Sequence, residues 1–213
     1  MPLMPYKGYL FDMDGVLIDS MPYHQESFDK ALKPYGLCLG DLDVSGRKTI
    51  DIFEEIQRSN KDIELPIKQL IDFKQAIARK LIEEAGDLIL MPHTKEVLKK
   101  ISANAKFGIC TSGSRKSLEH LLRLLPGNIN FNVLLTSEDV TLSKPNPEIY
   151  SLGASKLGLN PQQILVVEDS LSGISSGLAA NCNVAAIGQL DLSEFGNHQN
   201  VCLIESLVDL VQW

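Results

Sequence analysis

No apolar run in the 213 residues reaches the roughly 18 that a membrane-crossing helix needs. No run of Lys and Arg forms a basic footprint, and the formal net charge is −7, which argues against nucleic acid as a partner. The N-terminal residues lack a charged region followed by a long apolar core, so no secretory leader is expected. Paired cysteines are lacking too: Cys38, Cys110, Cys182 and Cys202 are scattered, none in a C-x-x-C arrangement. Cys110 and Cys182 lie in or beside apolar runs and read as small buried residues rather than a disulfide frame. A reducing, cytoplasmic setting is the expectation. Internal repeats and low-complexity tracts are also missing. What remains is an ordinary globular composition, 44% apolar and 22% charged, at a length that suits one domain with an insert or two small domains.

Along the chain, residues 6–11 are short and mostly apolar and end at Asp12-Met13-Asp14-Gly15, a buried strand running into a turn. Apolar residues then recur at helical spacing, as in Phe28, Leu32 and Tyr35, or Leu70, Phe73, Ile77 and Leu81. No strand pattern emerges across residues 20–88, which read as an all-helical insert. Beyond Pro92 strands and helices alternate. Strands are expected at 106–110, 132–135, 164–167 and 184–187, and helices around 97–101 and at 117–125, 149–157 and 173–180. Residues 203–211 read as a weaker helix or a mixed element. That alternation predicts an α/β fold, a parallel sheet with helices on both faces. The expected domains are a core of residues 1–19 and 89–213 and an inserted unit of 20–88.

Ligands of such sheets bind beyond the carboxyl ends of the strands, and the polar residues fall there. The first strand ends in Asp12-x-Asp14, two carboxyls on one side of an extended chain with Gly15 permitting a tight exit. A calcium loop also begins D-x-D, but it needs ligands where this chain has Val16, Leu17 and Tyr23. The second strand runs into Thr111-Ser112-Gly113, whose hydroxyls and N–H groups suit phosphate oxygens, with Ser114 as a helix cap. Lys144 precedes Pro145, and Asn146-Pro147 reads as N-cap and first residue of a helix. Glu168-Asp169 ends an apolar strand, where paired acids are costly without a cation; Mg²⁺ fits.

Together FDMDGVLIDS, GICTSGS, SKPNPEIY and VVEDS resemble, in order, the signatures of the haloacid dehalogenase superfamily. The helical insert lies where one branch carries its cap, and within that branch the chain resembles the beta-phosphoglucomutase-like and sugar-phosphate phosphatase group. The resemblance implies a Rossmann-like doubly wound core, a helical cap domain and Mg²⁺. It implies Asp12 as nucleophile and metal ligand, Asp14 as general acid/base with its carbonyl on the metal, and Asp169 as a metal ligand that Glu168 supports or joins. Thr111 and Lys144 would hold the phosphoryl group, with Ser112 and Gly113. In the cap, Ser20, His24, Gly46-Arg47 and Lys74 fall near substrate-facing positions; Lys74 sits on a helix rich in exposed charge. Two departures stand out. His93 occupies a place where many relatives have Gly, and Thr49 stands where the mutase subgroup has an arginine.

The expectation is therefore a monomeric, Mg²⁺-dependent phosphatase of small phosphorylated metabolites, sugar or polyol phosphates, working through a phospho-aspartate on Asp12. A phosphosugar mutase is the alternative within the family. A phospho-receiver domain uses similar residues but is shorter and has no helical insert. A non-catalytic binding protein would not need the complete acid set.

Overall fold

A computed structural model describes residues 6–42, 44, 49–196 and 198–211. Gly46, Arg47 and Lys48 therefore lie outside the described residues, and the expectation for Arg47 with them. In chain order the elements are β1 (Gly8–Phe11), α1 (Met21–Leu32), α2 (Thr49–Ser59), α3 (Ile67–Ala85), α4 (Thr94–Ser102), β2 (Lys106–Cys110), α5 (Arg115–Leu124), β3 (Val133–Leu135), α6 (Glu148–Leu157), β4 (Ile164–Glu168), α7 (Leu171–Ala179), β5 (Asn183–Ile187) and β6 (Val201–Ile204). The chain forms two compact units, one running up to Asp19 and resuming at Leu90, the other Ser20–Ile89.

In the first unit the strands form one sheet in the order β3-β2-β1-β4-β5-β6, and every described pairing is parallel. The expected α/β class holds. Every residue of β1 and β4 is buried, as parallel strands covered on both faces require. Leu10, Val166, Val184 and Ala186 of the sheet pack with Ile149, Tyr150, Ala154 and Ile174 of the flanking helices. The order reverses between β1 and β4, so their carboxyl ends flank a topological switch point, where such sheets place ligands.

Two sequence expectations need correction. Residues 203–211 form the mixed element rather than the weaker helix: the end of the edge strand β6 (Val201–Ile204) followed by a 3₁₀ turn at Leu207–Val211, so the sheet has a strand that the pattern concealed. The helix after Lys144 starts at Glu148, with Pro147 at the cap position; Asn146 still serves it, its Oδ1 accepting the Glu148 N–H at 3.0 Å.

The second unit is helical throughout its assigned elements. Phe28, Leu32, Ile52, Phe53, Ile56 and Leu70 form its core, with the Phe28 and Phe53 rings 5.1 Å apart. Lys74 is not an exposed charge, as the sequence suggested: it is 5% exposed, its Nζ 3.0 Å from His24 Nδ1 and 4.6 Å from the centre of the Phe28 ring. A long aliphatic stem lets a lysine lie over apolar surface in this way. Ser20 is buried at the start of this unit.

His93 caps α4 with φ of 66°, in the left-handed region that disfavours side chains. Its exposed ring gains only a 3.3 Å contact with Glu96. His93→Gly is expected to stabilise the protein by about 0.5–1 kcal/mol, read as a raised thermal midpoint; a lowered midpoint would show that the Glu96 contact outweighs the backbone strain.

Candidate active site

Register explains why three separate strand ends meet. Phe11 pairs with Val167 and with Ile109, so the next residues, Asp12, Glu168 and Cys110, arrive together at the ends of β1, β4 and β2. The Asp12 N–H donates to Val167 O at 3.0 Å. Gly15 turns the chain away with φ of 74°, and its N–H donates to Ile18 O at 2.7 Å. A Cβ there would lie 1.7 Å from Asp169 Oδ2, so both backbone conformation and space demand glycine.

Lys144 is carried by a loop that Glu148 ties down, its carboxylate accepting from the N–H groups of Thr141 and Leu142 at 3.0 and 2.8 Å. Ser176 Oγ of α7 donates to Asn146 O at 2.7 Å. Lys144 Nζ then donates to Asp12 Oδ1 and Glu168 Oε1, both at 2.6 Å, and to Cys110 O at 3.1 Å. An ammonium has three protons, so all three are placed. Burial works against charge on Lys144, but Asp12 and Glu168 more than offset it and raise its pKa.

Glu168 is wholly buried. Its Oε1 accepts from Lys144 at 2.6 Å and from Tyr150 OH at 2.7 Å. Its Oε2 accepts from Asp169 N, Ser170 N and Ser170 Oγ at 3.2, 3.4 and 3.1 Å. Tyr150 is the site residue that sequence reasoning missed; its one local signal is that a buried tyrosine needs a hydroxyl partner.

The loop after β2 is fastened from the side of β3. Ser137 donates from both N and Oγ to Gly113 O at 3.1 Å, and Arg115 N donates to Glu138 Oε1 at 2.8 Å. Arg115 also pairs with Asp139, which closes a capping box with Thr136. Ser114 caps α5, its hydroxyl accepting from Ser117 N. The Gly113 N–H, expected to face a phosphate, donates instead to Thr111 Oγ1 at 2.9 Å. Thr111 keeps its own O–H to donate. A Cβ on Gly113 would lie 3.1 Å from Thr111 Oγ1 and 3.6 Å from Asp14 Oδ2, so the bare glycine borders both groups. Thr111, Ser112, Ser137, Ser143 and Lys144 line a small cleft beside this loop.

Among the described residues the constellation thus gathers the carboxyls of Asp12, Glu168 and Asp169, with Asp14 nearby, and the ammonium of Lys144, which Asp12 and Glu168 hold. Burial, then Glu168 and Asp14, raise Asp169 from 3.8 to about 7. Burial also raises Asp12, and Lys144 does not cancel it against Glu168 and Asp14. Burial thus favours the neutral form of the Asp12 carboxyl, and added positive charge beside it would favour the ionised one. Asp12, Glu168 and Asp169 can each present an oxygen within 4.8 Å of the others, the donor chemistry of a hard divalent cation. The residues fit such an ion. Distance puts Glu168 in that set, but its oxygens already receive five hydrogen bonds, more than the roughly four a carboxylate accommodates, so Asp12 and Asp169 are the better-placed ligands.

Residues 9–187 match the family model described as haloacid dehalogenase-like hydrolase. Hexitol phosphatase A of Escherichia coli (strain K12) is 32% identical over 86% of this chain and 84% of its own. A phosphorylated carbohydrates phosphatase of Thermotoga maritima is 28% identical, covering 82% of this chain and 81% of its own. In fold, the crystal structure of a HAD hydrolase, family IA, variant 3, from Entamoeba histolytica HM-1:IMSS superposes with a TM-score of 0.80 at 22% identity, over 97% of this chain and 96% of that one. No helix among the described residues is long and apolar enough to cross a membrane.

The raised Asp169 sets a pH dependence. An acid held above its ordinary value binds its proton more tightly in the folded state, so its contribution is present at low pH and lost as pH rises from about 4 to about 7. Metal-free protein in EDTA is therefore expected to lose thermal stability between pH 5 and pH 7, by on the order of a few kcal/mol in all. Asp169→Asn should flatten that slope; an unchanged slope would remove Asp169 as its source.

Proposed function

The chain belongs to the haloacid dehalogenase-like hydrolase family, and we propose that within it the protein is a magnesium-dependent phosphatase of small phosphorylated metabolites, sugar or polyol phosphates, working through a phospho-aspartate on Asp12. The observation that carries this reading is the charge imbalance at the switch point. Among the described residues the clustered carboxyls of Asp12, Glu168 and Asp169 outnumber the Lys144 ammonium and would repel a phosphate dianion, and a divalent cation reconciles the acids with such a substrate. The names of the hexitol and carbohydrate phosphatases among the relatives support the substrate class.

In this reading Asp12 and Asp169 hold Mg²⁺, with the Asp14 carbonyl as a further ligand. When bound, the ion neutralises phosphate charge and keeps Asp12 ionised. Asp12 attacks phosphorus while the ester P–O bond breaks, and the leaving oxygen takes the proton of the Asp14 carboxyl. Asp14 then accepts a proton from water as that water attacks the phospho-aspartate, releasing phosphate and restoring both acids. Lys144 contributes a fixed positive charge beside Asp12. The Thr111 hydroxyl, with Ser112, holds the phosphoryl oxygens.

The test is a hydrolysis screen over phosphorylated sugars, polyols and nucleotides with Mg²⁺. Sugar or polyol phosphates are expected to lead, and turnover is expected to vanish in EDTA and in Asp12→Asn, which should remain folded. Full turnover without metal, or phosphate trapped on a residue other than Asp12, would defeat the reading.

Hydrolysis rather than mutase chemistry is expected, because Thr49 stands at the first position of α2 where the mutase subgroup has its arginine. Supplied with beta-glucose 1-phosphate and a trace of glucose 1,6-bisphosphate, the protein should release inorganic phosphate. Rapid formation of glucose 6-phosphate with little free phosphate would establish the mutase instead.

A further inference from the structure

We propose that Tyr150 is a positioning residue of this site: its hydroxyl and ring hold Glu168 to Lys144, so that Glu168 serves the ammonium and leaves the cation to Asp12 and Asp169. The inference rests on the metal dependence proposed for the protein.

Tyr150 lies in the first turn of α6 and is fully buried. Its O–H donates to Glu168 Oε1 at 2.7 Å, the same oxygen that receives Lys144 Nζ at 2.6 Å. The ring meanwhile lies 4.8 Å from Lys144 Nζ, at cation–π distance. One side chain thus touches both members of the pair and prefers the geometry in which they stay together. Burial and the neighbouring Glu168 keep the phenol protonated, so it remains a donor.

The other oxygen of Glu168 is fixed from α7. Ser170 donates to it from Oγ at 3.1 Å, and the same Oγ accepts the Gly173 N–H at 3.1 Å as helix cap. A Cβ on Gly173 would lie 1.9 Å from Glu168 Cδ and Oε1, so the helix reserves the space that the carboxylate occupies. To ligate Mg²⁺, Glu168 would have to present a lone pair at about 2.0–2.1 Å and give up one of these donors. Among the described residues Asp12 and Asp169 face no comparable demand: Asp12 Oδ1 receives Lys144, and Asp169 Oδ2 lies against the open face of Gly15.

Tyr150→Phe separates the two roles, since it keeps the ring and its packing and deletes only the donor. The variant is expected to fold, with a thermal midpoint within a few degrees of the wild type. Its Glu168, relieved of one donor, becomes available to a cation, so Mn²⁺ titrated into metal-free protein should bind roughly three- to tenfold more tightly. Hydrolysis of nitrophenyl phosphate should show kcat lowered about tenfold with KM little changed, because the displaced pair acts on the reacting groups and not on substrate capture. Mn²⁺ affinity that is unchanged or weaker overturns the proposal, whatever happens to turnover. Should the variant not fold, a crystal structure of the Mg²⁺-loaded wild type decides: Glu168 hydrogen-bonded to Tyr150 and outside the coordination shell supports the proposal, and a Glu168 oxygen at about 2.1 Å from the ion overturns it. Both readouts are independent of turnover, so a protein that binds metal but hydrolyses no phosphate ester would defeat the phosphatase reading alone.

Discussion

The rest of the site depends on one buried ammonium. Lys144 can stay charged out of water only if oxygens surround it, and it takes them from three places: the end of β1, the end of β2 and the end of β4. Each is supplied by the order of the sheet, which sets β1 between β2 and β4 with all three carboxyl ends on one edge. Removing the lysine would leave Asp12 and Glu168 buried with no counter-charge, a change of the kind that costs about 3–5 kcal/mol. The lesser features around it follow. Glu148 fixes the backbone of its loop, Ser176 anchors Asn146, and Gly173 is bare because the carboxylate that partners the lysine fills the space.

That arrangement is poor as stabilisation and good as chemistry. Replacing a buried ion pair by apolar residues of similar volume is often neutral or stabilising, and here the surplus acids make matters worse: Asp12 and Asp169 are both held above their ordinary pKa. Strain of this sort persists where the surrounding structure over-determines it, and it marks functional sites. The cluster sits at the switch point of a sheet otherwise packed with Leu, Ile and Val, so the polar groups are concentrated where a ligand can reach them.

Most of this was legible in the sequence because the two signals are local. Buried parallel strands read as short apolar runs, and β1, β2, β4 and β5 fall within about two residues of their expected bounds. The acids, hydroxyls and lysine stand where those runs end. What escaped depends on non-local packing. β6 is an edge strand of four residues with Leu203 54% exposed, too short and too mixed to show a period. Lys74 reads as a solvated charge on α3, and only the approach of Phe28 and His24 from α1 buries it. Tyr150 looks like one more apolar position of α6; its polar end matters because the fold brings Glu168, 18 residues on, within 2.7 Å. Glu168 and Asp169 are neighbours of the same type, yet one is enclosed by donors and the other lies against Gly15, a difference no spacing rule conveys.

The hydrogen bonds already made also limit how a phosphate can be recognised. Lys144 has placed its three protons on protein oxygens, and the Gly113 N–H is turned to Thr111 Oγ1. In the proposed reading a phosphoryl group meets there a fixed positive charge and rotatable hydroxyls, with no arginine fork among the described residues of the cluster to read its shape. Recognition on those terms would depend on charge and on the proposed cation, and would be indifferent to the organic group on the far side of the ester. On the proposed mechanism, discrimination between one phosphate ester and another would therefore come from residues outside this cluster, and the cluster alone would suit any small monoester whose phosphorus reaches Asp12.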